Sequence, residues 1–233
     1  MYTLYIANRN YSSWSLRPWL LLDSLAIPFE EALQVFGPGS NRAAFQAFSP
    51  AGTVPCLVDG DVTVWESLAI VEYLAERHAG VWPASPLARA WARSAASEMH
   101  AGFSALRGIC PMNCGIRVRL HEVPAALAAD LARIEALWLD GLDRFGGPWL
   151  GGAGFTAVDA FFAPVAFRVQ SYGLALGARA DGYVRQLLAL PGMVRWYALA
   201  LAEPWREPQH EAEAAAVGVI ERDLRLQARS ETP

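Results

Sequence analysis

The chain of 233 residues contains no lysine; every basic side chain is an arginine or a histidine. Without an ε-amino group it can form no Schiff base through a lysine and cannot anchor pyridoxal phosphate. A Walker-type phosphate loop is excluded as well, because its lysine is missing, and there is no GxGxxG run. Cysteine is scarce. Cys56, Cys110 and Cys114 are odd in number and fall in no frame, which argues against a disulfide scaffold. The CPMNC run has no partner pair elsewhere, so it reads better as helix-end packing than as a metal site. His78, His100, His121 and His210 show no metal-ligand spacing, and no metal is expected. No apolar run approaches the roughly 20 residues of a membrane-spanning helix. The first residues, MYTLYIANRN, read as a strand and carry no export signal. A cytoplasmic protein with no membrane partner is therefore expected. The net charge of −4 gives no reason to expect nucleic acid.

What is present is a large apolar fraction, 54%, enough for a sizeable core without staples. Residues 2–7 (YTLYIA) read as a strand, and 15–26 (SLRPWLLLDSLA) carry a helical apolar face with Pro18 expected in the first turn. Residues 30–35 read as a second strand and 41–48 as a short helix. The run PCLVDGDVTVWES places two short apolar segments around Asp59-Gly60, a hairpin signal. Residues 66–78 form an amphipathic helix. The order βαβ then ββα predicts a mixed four-stranded, thioredoxin-like sheet. GVWPASP at 80–86 reads as a linker. Beyond it, residues 86–109, 123–145, 156–174, 181–190 and 192–202 show helical periodicity, with no recurring strand pattern. The expected organisation is an α/β thioredoxin-like domain at 1–80, an all-helical domain at 86–205, and a polar tail at 206–233.

Three constellations carry chemistry. Tyr11-Ser12-Ser13-Trp14-Ser15-Leu16-Arg17 lies between the first strand and the first helix. Free N–H groups and the positive end of the helix dipole gather there, a setting that suits an anion; serine is equally a favoured N-cap. Thr53-Val54-Pro55 enters a strand, and Pro55 is either a plain strand-start proline or a cis bond. A cis corner would leave the main chain of Val54 facing outward, ready to pair with a peptide-like ligand. Glu66-Ser67 opens the amphipathic helix. There a carboxylate could take a ligand's ammonium while Ser67 and the helix N–H groups take its carboxylate, or the pair could be an ordinary helix start.

In order, YIANRNYSSWSLRPWLLL, then AFSPAGTVPCLVDGDVTVWESLAIVEYLAE, then PWLGGAGFTAVDAFFAPV resemble the cytosolic glutathione S-transferase superfamily over roughly residues 1–200. The resemblance implies a thioredoxin-like glutathione-binding half and an all-α substrate half, assembled as a homodimer. It implies a cis Val54-Pro55 corner, with Val54 pairing with the cysteinyl part of glutathione. Glu66 and Ser67 would hold the γ-glutamyl end, and Arg42 the glycyl carboxylate. A serine at the start of the first helix would stabilise the thiolate. The SSxSxR spacing resembles the zeta-like pattern that points to Ser12; theta-like spacing points to Ser13. Tyr5 and Tyr11 are alternative hydroxyls. Trp14 stands where beta- and zeta-like members carry cysteine, which argues against thiol-disulfide chemistry and against a true maleylacetoacetate isomerase.

The second substrate, a small electrophile, is expected between the halves, against Met99, His100, Phe103 and Arg107 on one helical stripe. Thr156 and Asp159 are expected to form a structural capping box. The leading expectation is conjugation by the glutathione thiolate; a glutathione-dependent isomerase and a glutathione-binding protein with little catalysis are the alternatives.

Overall fold

The computed structural model describes residues 1–37 and 39–225. The front half runs β1 (Tyr2–Ala7), α1 (Ser13–Ser24), β2 (Phe29–Gln34), α2 (Arg42–Phe45), β3 (Cys56–Asp59), β4 (Val62–Trp65) and α3 (Ser67–Ala75). The sheet order is β2-β1-β3-β4, with β1 and β2 parallel and the other pairs antiparallel. This is the expected mixed sheet. The β3–β4 hairpin closes through Gly60 and Asp61, with Gly60 at φ +57°. The Tyr73 hydroxyl donates to Asp59 Oδ2 at 2.8 Å and ties that hairpin to α3.

The helix α1 differs from its expected span. It starts two residues earlier, because Ser12 rather than a later serine is the N-cap and accepts from the Ser15 N–H. Pro18 is therefore inside the helix, where it removes one helical hydrogen bond, rather than in its first turn.

The back half contains α4 (Pro86–Ala101), α5 (Ser104–Ile109), β5 (Ile116–Leu120), α6 (Ala125–Phe145), α7 (Ala157–Tyr172), α8 (Ala178–Leu188), α9 (Pro191–Ala202), α10 (Pro208–Val217) and β6 (Gly218–Asp223). Three features depart from expectation. The single helix anticipated over 86–109 is broken into α4 and α5. Gly102 is extended, Phe103 is left-handed at φ +56°, and a Cβ on Gly102 would meet the Glu98 carbonyl at 2.8 Å. Second, the half is helical as expected but carries one unexpected two-stranded addition, in which β5 and β6 pair antiparallel. Third, the tail packs as α10 and β6; residues 226–233 lie outside the described residues.

The helix α7 is the axis of the molecule. Every residue in it except Gln170 is buried, so it is apolar nearly all round rather than two-faced. One hydrophobic core joins both halves, with Leu16 and Leu20 of α1 and Phe161 and Phe162 of α7 wholly buried in it. The main chain crosses the junction too: the Ala157 N–H donates to the Val81 carbonyl at 2.8 Å.

The Thr156–Asp159 capping box is present at the start of α7. Asp159 does more than cap. Its carboxylate accepts from the Thr156 N–H at 2.9 Å, the Leu150 N–H at 3.0 Å and the Tyr183 hydroxyl at 2.7 Å, all in the buried interior. Burial pushes its carboxyl up to about 6 against these donors. Replacing it strands these buried donors at once, so the expected cost exceeds the ~1 kcal/mol of an ordinary cap. Asp159→Ala is expected to lower stability by about 3 kcal/mol or more, read as a fall in the denaturant midpoint at unchanged slope.

Candidate functional site

A cleft of about 660 Å³ opens where the two halves meet. Its floor is the turn between β1 and α1. That turn is clamped from behind: the Glu203 carboxylate accepts from the Arg9 N–H at 3.0 Å and from its guanidinium at 3.1 Å. Glu31 pairs with the same guanidinium, and the Trp196 indole donates to the Arg9 carbonyl at 3.0 Å. A rigid backing of this kind holds side chains at fixed positions.

Ser12, Ser13 and Trp14 project from this turn into the cleft. The two serines differ in how they are used. Ser12 Oγ lies 2.7 Å from Ser15 Oγ and caps α1. Ser13 Oγ accepts from Arg168 Nη2 at 3.5 Å, which leaves its own proton uncommitted. Tyr11 is a different case. Its hydroxyl donates to Glu211 at 2.6 Å and faces Arg225, and burial followed by Glu211 pushes its pKa well up. Tyr5, in β1, stacks on Phe48 at 4.3 Å.

On the facing wall lie Arg42, Thr53, Val54, Pro55 and Glu66. The Val54–Pro55 peptide is cis. The main-chain N–H and C=O of Val54 make no hydrogen bond to any described residue. Gly52, at φ +67°, lets the chain pass tight against α2: a Cβ there would meet the Arg42 carbonyl at 2.7 Å. Glu66 holds a left-handed φ of +68° as the N-cap of α3 and reaches the cleft. Such a conformation in a non-glycine residue is strained and is concentrated at functional sites. Ser67 sits just behind, fully buried, with its hydroxyl unpartnered among the described residues.

Of the four residues expected on one electrophile-facing stripe, only Arg107 lines the cleft. The break at Gly102–Phe103 destroys the stripe. Met99 is wholly buried in the core, Phe103 is buried at the kink, and the His100 ring lies edge-on to Trp14 at 5.2 Å. Burial first, then Arg17, lowers the pKa of His100.

Arg17, Arg107 and Arg168 form a cationic group around this floor. Arg17 lies 4.0 Å and Arg107 4.6 Å from the centre of the Trp14 ring, both cation–π contacts. Arg17 and Arg168 are buried, and burial lowers the first well below its usual range and the second to about 10. Arg168 was not legible as a site residue; its one signal was a guanidinium inside an otherwise apolar helical run.

No local signal in the sequence marks the roof either. His210 of α10 stacks on Phe36 at 5.9 Å and lies 5.1 Å from Tyr11, and Glu213 also reaches the cleft. This segment is held by Arg225, which pairs with Glu211 and Asp223 while Asn113 donates to Glu211 at 3.0 Å. Cys110 and Cys114 are buried, and burial pushes the Cys110 thiol up to about 12, so neither offers a thiolate to the cleft.

A mixed βαβ–ββα sheet backed by a helical unit, with a cleft at the junction, defines a two-part thioredoxin-like protein. Residues 11–77 match the family model "Glutathione S-transferase, N-terminal domain", and 118–199 match the model of its C-terminal domain. The chain is 31% identical over 203 residues to "Glutathione S-transferase GstB" of Escherichia coli (strain K12), covering 81% of this chain and 88% of that one. Among solved structures, a glutathione transferase homolog from Burkholderia with bound glutathione superposes with a TM-score of 0.64 at 22% identity, over 85% of this chain and 97% of the other. The theta class glutathione S-transferase of Xanthomonas axonopodis pv. citri, also with glutathione bound, gives 0.61 at 25% identity, over 84% and 96%. The chain belongs to the glutathione S-transferase family. No helix among the described residues is long and apolar enough to cross a membrane.

Two outcomes follow for the roof. Tyr11→Phe takes a donor from the partly buried Glu211 and is expected to speed amide exchange across 208–223 about tenfold, with α7 unaffected. Arg225 holds Asp223 below the usual carboxylate range, and holds Glu211 there against the opposing effect of burial. Their stabilisation is complete above the ordinary carboxylate value near 4 and lost as pH falls through their lower folded values. The same exchange measurement is therefore expected to show this segment opening first in acid.

Proposed function

We propose that the cleft binds glutathione and that the chain is a glutathione transferase, its thiolate attacking a small electrophile. The observation that carries this reading is the pair of unpartnered main-chain groups of Val54, which lines the cleft that also holds the start of α1. Free N–H and C=O groups at a cleft wall are what an extended peptide pairs with. Val54 then takes the cysteinyl residue and directs its sulfur to Ser13. Glu66 takes the γ-glutamyl ammonium, Ser67 with the first N–H groups of α3 takes the adjacent carboxylate, and Arg42 the glycyl carboxylate. Assembly as a homodimer and a cytoplasmic setting, both implied by the family resemblance, belong to the same proposal, as does a role in detoxification.

Ser13 is preferred to Ser12 as the residue facing sulfur. The hydroxyl of Ser12 is engaged with Ser15 in capping the helix, while that of Ser13 accepts from Arg168 and keeps its proton to donate. The task is quantitative. A free thiol has a pKa of about 8.5, and lowering it by two units requires about 2.7 kcal/mol of extra anion stabilisation. A hydrogen bond to a charged acceptor contributes roughly 1.5–3 kcal/mol and the α1 terminus up to about 2. The Arg168 guanidinium behind Ser13 adds to both.

Ser13→Ala is expected to raise the pKa of bound glutathione by about one unit while its Kd changes less than about threefold. Ultraviolet titration of the bound thiolate measures the first and calorimetry the second. An unchanged titration in Ser13→Ala, in Ser12→Ala and in the double variant removes the serine mechanism. Glu66→Gln is expected to weaken glutathione binding about tenfold with the thiol pKa held.

A further inference from the structure

Glutathione does not account for all of the positive charge at this site. Arg17, Arg107 and Arg168 have no carboxylate within ion-pair distance among the described residues, whereas Arg133 faces one and Arg9 and Arg225 two each. Arg17 is wholly buried, and its Nη1 finds no hydrogen-bond partner there. Arg168 is 4% exposed and lines the cleft; its Nε donates to the Cys110 carbonyl at 2.8 Å, its Nη1 to the Pro164 carbonyl at 3.4 Å and its Nη2 to Ser13 Oγ at 3.5 Å. Arg107 directs its Nη1 to the carbonyls of Met99, at 3.3 Å, and His100, at 2.9 Å, while its side chain lines the same cleft beside Trp14. Buried cations are costly unless an anion faces them. In the reading above, the thiolate supplies one negative charge at Ser13, and the two carboxylates of glutathione are placed on other residues, Ser67 with the α3 terminus and Arg42.

We propose that Arg107 and Arg168 form a carboxylate site for the second substrate, so that the electrophiles this cleft prefers are small acids. The inference rests on the glutathione reading and refines it. The 3.5 Å between Arg168 and Ser13 sets the length of such a molecule: an anion on Arg168 stands beside the sulfur, so the reacting carbon is the one next to the carboxylate. The step is a displacement. The sulfur forms a bond to that carbon as the bond to its leaving group, such as a halide, breaks; the leaving group departs with the electron pair, and the thiol proton has already passed to solvent. In water, a thiolate and a carboxylate repel each other on approach. Two guanidinium groups at a fixed position remove that repulsion and align the carbon for attack.

The test is turnover of iodoacetate against iodoacetamide with glutathione, each corrected for its uncatalysed rate. The two share a leaving group and a length and differ in charge. In the unaltered protein the acceleration is expected to be at least about tenfold greater for iodoacetate, and Arg107→Met is expected to lower that ratio by about tenfold or more, with Arg107→Lys retaining part of it. Propionate is expected to compete with iodoacetate where propionamide does not, a readout that needs no variant to fold. Equal acceleration of both reagents, or a ratio unmoved in a folded Arg107→Met, overturns the carboxylate site and leaves glutathione binding intact. So does glutathione uptake by calorimetry without turnover of iodoacetate. Failure of glutathione uptake itself overturns the reading beneath it.

Discussion

The packing of α1 against α7 is the constraint on which this molecule depends. Each helix brings an arginine to the seam, and each arginine is anchored through a carbonyl: Arg17 Nε on Phe161 at 3.2 Å, and Arg168 Nε on Cys110 at 2.8 Å. The seam joins the two halves through one continuous core, so the start of α1 is fixed in depth and direction by the helical half. That is why a serine at the head of a front-half helix can meet a guanidinium from the back half. Neither half alone contains the pair. The cleft is a product of the junction, and its chemistry reports how well the junction is made.

The polar groups at the seam follow one economy. Asp159 is buried with four donors turned toward it, and Arg9 with two carboxylates. These are closed networks, which rigidify what they hold. The cationic group at Trp14 is open by contrast: it leans on an aromatic ring and on carbonyl oxygens, and among the described residues no carboxylate completes it. Closed networks hold the scaffold in place, and the open one is left to meet what enters.

The front half was legible because its signals are local. A period-two run for β1, a two-residue hairpin loop after Asp59, and a Glu-Ser helix start each need only a few neighbouring residues to be recognised. The wall residues Val54, Pro55 and Glu66 followed from the same short strings. The back half was legible in its helices and not in its breaks. Gly102 ends α4 through a close approach to a carbonyl one turn back, a contact that periodicity does not register. β5 and β6 were unreadable because each is short and its partner lies about a hundred residues away in sequence. For the same reason Arg168 and His210 escaped notice: nothing near them in the chain says that they face Ser13 and Phe36.

The pairing of β6 with β5 has a consequence for how the protein is made. The ribosome delivers the sheet, α1 and α7 well before the roof, and those elements can dock as they emerge. The cleft, however, lacks its upper wall until residues 208–225 are released and the strand at 218–223 finds its place beside Ile116–Leu120. During synthesis the nascent protein therefore carries an open, cationic trough. Seating of α10, with His210 and Glu213, then gives that trough its upper wall.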